Sequence, residues 1–178
     1  GTIQGAGFVL GDVRNHGTIA PGQPEGILVI DGSYAQEDGG ILEIELGGPT
    51  LGDDFDHLAL TGDASLNGVL EVSLVNDFLP NENDLFNILS TSDGTITGTF
   101  SIHAAQPADR VFNVGAIYTP TSVTLEVVDL VLLADVNADG MINNLDILPF
   151  LIAMDADDEE DEFISKVPGG LFFAADIN

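Results

Sequence analysis

Cysteine is absent from the 178 residues, so the chain has no disulfide framework, no thiolate metal site and no cysteine nucleophile. Tryptophan is absent too, and Tyr34 and Tyr118 are the only tyrosines, which leaves little for an aromatic platform that stacks sugars. Positive charge is nearly missing. Arg14, Arg110 and Lys166 stand against thirty acidic residues, for a formal net charge of −27. Phosphate binding needs Lys and Arg to displace counterions, so nucleic acid is excluded as a partner, and anionic membrane surfaces are disfavoured. Divalent cations are the natural small partners of such a chain. Long apolar runs are lacking as well. Leu130–Ala134 is far too short to span a bilayer, so no membrane span is expected. Nothing at the start resembles a signal peptide, and the chain is expected to be a fragment of an exported protein.

What is present is a sufficient core and a strong strand signal. Hydrophobic residues make up 44% of the chain, enough to bury a core. Leu42, Ile44 and Leu46 alternate with Glu43 and Glu45, the period of a half-buried strand. Leu70, Val72 and Leu74 repeat the pattern, and so do Val123, Leu125 and Val127. Turn signals separate the runs: Asp31-Gly32, Gly39-Gly40, Gly47-Gly48-Pro49, Asn67-Gly68 and Asp93-Gly94. Gly-Thr-Ile recurs at 1–3, 17–19 and 94–96. Weak repetition with Gly and Asn at the corners suits a β-solenoid, whose stacked coils bury a continuous core. A β-sandwich with ordinary hairpins fits the same pattern equally well.

A resemblance favours the first architecture. Asn15-His16-Gly17-Thr18-Ile19-Ala20-Pro21-Gly22, Gly26–Tyr34, Gly40–Leu46, Asp56–Gly62 and Ala64–Gly68 resemble segments of bacterial autotransporter passenger domains and related surface proteins. The likeness covers roughly residues 11–75 and implies the last coils of a parallel β-helix. The expected fold is therefore mainly β: a β-helix over residues 1–128, closing in a sandwich-like sheet over 85–128, followed by a small α-helical calcium-loop segment over 129–178.

The second segment carries the chemistry. Asp135-Val136-Asn137-Ala138-Asp139-Gly140-Met141-Ile142-Asn143-Asn144-Leu145-Asp146 fits a twelve-residue calcium loop position by position. Calcium wants six to eight oxygens, so carboxylate and amide oxygens must converge from one short stretch. Asp135, Asn137 and Asp139 take positions 1, 3 and 5, and Gly140 permits the bend. Met141 offers its backbone carbonyl, Asn143 acts through a water, and Asp146 closes the sphere. The plain alternative is an Asx-rich turn that binds nothing. Leu145, Leu148, Leu151 and Ile152 then recur at helical spacing, with Pro149 in the first turn.

A closing Asp followed by such a helix resembles the first repeat of a dockerin type I module. Ala174-Ala175-Asp176-Ile177-Asn178 resembles the opening of the second repeat, with Asp176 and Asn178 at positions 1 and 3. The resemblance implies Ca²⁺ as cofactor and a protein docking partner of the cohesin kind. Loop positions 10 and 11, however, hold Asn144 and Leu145, where that family often uses hydroxyl residues. The acidic run from Asp155 to Glu162 reads as a solvated linker.

Other candidates have simpler readings. Glu43 and Glu45 could pair as glycosidase carboxylates, but strand alternation already demands polar residues there. Asp53, Asp54 and Asp56 make a loop more readily than a cation site. His16, His57 and His103 lie far apart, and an Asp56–His57–Ser65 trio has no triad spacing. Gly5-Ala6-Gly7 lacks the context of a nucleotide site. The expected function is a non-enzymatic, secreted or cell-surface bacterial protein with a calcium-binding module. The alternative is an accessory C-terminal fragment of a secreted polysaccharide-degrading enzyme.

Overall fold

The computed structural model describes residues 1–22, 24–107 and 110–132. The chain divides into two compact units, Gly1–Leu130 and Val131–Asn178, and the described residues fall almost wholly in the first. Turns at Gly, Asn and Asp cut this unit into brief strands, so it is mainly β, and most of its strands pair in parallel. No helix occurs among the described residues, and none there is long and apolar enough to cross a membrane.

Three sheets are built in rotation. The first holds β1 (Thr2–Gly5), β4 (Thr18–Pro21), β7 (Ile41–Leu46), β10 (Val69–Leu74) and β13 (Ser101–Ala104), in that order. The second runs β2 (Gly7–Leu10), β5 (Ile27–Asp31), β8 (His57–Leu60) and β11 (Leu85–Thr91). The third holds β3 (Val13–Asn15), β6 (Tyr34–Gln36), β9 (Ala64–Leu66) and β12 (Ile96–Gly98). Every third strand thus returns to the same sheet, beside and parallel to its predecessor. At the end of the chain order the pattern changes. β15 (Ser122–Leu132) pairs antiparallel with β11, across a bulge at Asn87/Leu89, and β14 (Arg110–Tyr118) lies beyond it. This antiparallel pairing extends the second sheet.

Register explains the core. Ile19, Leu42 and Leu70 stand in line across the first sheet, and Leu28, Leu58 and Leu89 across the second. All six are at most 4% exposed. Because only one face of each sheet is covered, these parallel strands alternate apolar and polar residues instead of running apolar throughout. Phe55 and Phe86 meet edge to face at 5.2 Å, and Phe112, Val123, Leu125 and Val127 bury the last two strands.

Gly94 and Gly68 show why the corners hold glycine. Gly94 stacks on Gly62 so closely that a Cβ would overlap the Gly62 carbonyl. Gly68 adopts φ +62, and a Cβ there would collide with the Gly40 oxygen. The repeated Gly-Thr-Ile divides accordingly. The copies at 1–3 and 17–19 pair in register, Thr2 with Thr18 and Ile3 with Ile19, whereas the copy at 94–96 enters the third sheet. The longest connections between strands up to β11, residues 47–56 and 75–84, both join the first sheet to the second.

Candidate functional site

The expected calcium ligands Asp135, Asn137, Asp139, Met141, Asn143 and Asp146 lie outside the described residues, as do the helix expected after them, the acidic run and Asp176. Among the described residues no group of three or more His, Asp or Glu side chains is placed to hold a metal ion. Three other clusters of polar groups remain.

The first is an acidic column on the outward face of the first sheet. Glu43 of β7 pairs with Glu71 of β10, and Glu71 with His103 of β13. Parallel neighbours stand about 4.8 Å apart, so the two carboxylates are held side by side. Burial, then the charges of Glu71 and Glu45, push the Glu43 carboxyl above the usual carboxylate range. Glu43, Glu45, Glu71, Ser73 and His103 line an open depression of about 360 Å³. Glu43 and Glu45 do share a face, as alternation requires, but the nearest carboxylate across strands is Glu71.

The second cluster centres on Asp56, which is 2% exposed. Its carboxylate accepts the backbone N–H groups of Gly26 and Glu45, each at 2.9 Å, and so ties the connection after β4 to β7. Burial outweighs those two hydrogen bonds and, with the charges of Glu45 and Glu25, leaves the carboxyl pushed up to about 7. Asp54 accepts the Thr50 N–H at 3.0 Å, and Asp53 lies in the same turn. The loop reading accounts for these contacts.

His57 does not pair with Asp56 or with Ser65, which lies on the third sheet. Its Nδ1 lies 2.8 Å from the Asn87 carbonyl oxygen and its Nε2 lies 2.9 Å from Ser90 Oγ. The ring is 5% exposed, and burial lowers its basicity below that of an ordinary histidine. His16 and His103 are exposed and far from it in the chain.

The third cluster is internal and carries no sequence motif. Asn15 and Gln36, in register on β3 and β6, turn inward with Tyr34. Asn15 Nδ2 donates to the Ile41 carbonyl at 2.8 Å, Gln36 Nε2 to the Val69 carbonyl at 2.8 Å, and the Tyr34 hydroxyl to Gln36 Oε1. Burial raises the Tyr34 hydroxyl well above the ordinary tyrosine value. The three buried side chains thus find partners in one another and in the carbonyls that open β7 and β10, which ties the third sheet to the first. A polar residue ending each of two strands was the one available signal.

No protein-family model matches the chain, and no curated protein matches it.

Proposed function

We propose that this chain is a non-catalytic structural and attachment segment of a secreted or cell-surface bacterial protein, a parallel β-helix stalk bearing a dockerin-like calcium loop. The rotation of strands among three sheets supports the β-helical reading, because each coil would contribute one strand to each sheet. The single observation that carries the functional reading is the oxygen-donor spacing of Asp135, Asn137, Asp139 and Asp146 around Gly140. That donor set is hard, anionic and concentrated in twelve residues, as calcium requires. Binding would neutralise part of a strongly acidic chain and order the segment after the loop.

Isothermal titration with calcium tests this reading. The parent chain is expected to bind one equivalent at the loop, and Asp135→Ala to lose that heat. A parent that binds no calcium, or an Asp135→Ala variant indistinguishable from it, contradicts the reading. The docking partner is proposed only as a protein, since Asn144 and Leu145 depart from the hydroxyl pair that cohesin recognition often uses.

A further inference from the structure

The outward face of the second sheet combines a paired hydroxyl with an apolar strip. Ser90, Ala59, Val29 and Phe8 follow one another in register across β11, β8, β5 and β2. Leu28, Ile30, Leu58, Leu60, Leu89 and Thr91 beside them are buried, so Val29, Ala59 and Ser90 face the other way. Phe8 is 77% exposed, and the strip spans roughly 14 Å at ordinary strand spacing.

At the head of the strip, His57 is oriented for proton transfer. A carbonyl oxygen only accepts, so the contact with Asn87 places the hydrogen on Nδ1. Nε2 then presents its lone pair to the Ser90 hydroxyl at 2.9 Å. Nucleophile, base and orienting group are thus in hydrogen-bonding sequence, the arrangement that activates a serine. Ser90 is half-buried.

We propose that Ser90 is an acyl-acceptor hydroxyl, which takes a fatty acyl group from an activated ester and lays the chain along Ala59, Val29 and Phe8. In that step Ser90 Oγ bonds to the acyl carbon as its proton passes to His57 Nε2. The carbon–oxygen bond of the donor ester breaks, and the leaving alcohol takes the proton from His57. The product is one acylated chain, without turnover. No residue of 135–146 takes part, so this proposal and the calcium reading stand or fall separately.

The test uses the full chain with para-nitrophenyl octanoate and para-nitrophenyl acetate, read by intact mass and peptide mapping. A single octanoyl group on Ser90 is expected, forming about tenfold faster than the acetyl adduct because the longer chain buries apolar surface on the strip. Ser90→Ala should abolish the adduct. His57→Gln, which keeps hydrogen-bonding capacity but is no base, should slow it about 100-fold. Phe8→Ser alters only an exposed side chain and should slow the octanoyl adduct until it forms no faster than the acetyl adduct. Circular dichroism establishes that each variant is folded. If His57→Gln fails to fold, Ser90→Ala and Phe8→Ser still decide the matter. No adduct, adducts spread evenly over Ser33, Ser65, Ser73 and Ser90, or a folded His57→Gln chain that reacts as fast as the parent would each overturn the proposal.

Discussion

Asp56 shows how one side chain can hold a corner and make it sensitive to acidity. Its carboxyl titrates at about 7 in the fold, above the ordinary 3.8. A carboxyl with a raised folded pKa prefers its proton in the folded state, so its contribution to stability is complete below about pH 4 and is lost as pH rises through about 7. Melting temperature should therefore fall over that window. Asp56→Asn should flatten the fall while losing one of the two backbone hydrogen bonds, at about 1–3 kcal/mol. Thermal melts of both chains across that pH range check this, and parallel slopes would contradict it. Gly68 gives a second test at this scale. Gly68→Ala forces a Cβ onto the Gly40 oxygen at φ +62 and should destabilise by about 2 kcal/mol or more in a denaturant titration. Neither residue's role was fully legible in the sequence. Asn67-Gly68 read as a turn, but the partners of Asp56 and His57 include groups about thirty residues away, a separation that local pattern does not encode.

At the scale of the strand, alternation was the informative signal. Leu42, Ile44 and Leu46 are each at most 1% exposed, and Glu43 and Glu45 between them face outward. Leu42→Ala should cost about 2–5 kcal/mol, since the side chain sits in a stacked row with no room to collapse. Glu43→Gln should act the other way. It removes a like charge directly beside Glu71, and cross-strand repulsion of this kind is worth about 0.2–1 kcal/mol. Chemical denaturation of the two variants checks both signs. The partner of each strand was less legible than its faces. Period two says which side chains are buried, whereas the choice between hairpin and every-third-strand pairing depends on corners such as Gly62 and Gly94, whose stacking is visible only in three dimensions. The antiparallel closure by β15 also rests on a bulge at Asn87/Leu89 that no turn residue announces.

For the whole molecule, charge dominates. A net charge of −27 on 178 residues opposes compaction, and salt should relieve it. Melting temperature should rise with sodium chloride as surface repulsion is screened, and a flat response would show that the acids are neutralised locally. Composition made this property legible at once. The proposed calcium loop is a donor pattern in the sequence that lies outside the described residues, so the proposal rests on spacing. The most direct measurement is hydrogen exchange followed by mass spectrometry, with and without calcium. Calcium is expected to slow exchange over residues 135–152 and to leave the strands of residues 1–128 nearly unchanged. Unaltered exchange over 135–152, or protection confined to the Glu43–Glu71 face, would contradict calcium binding at the loop.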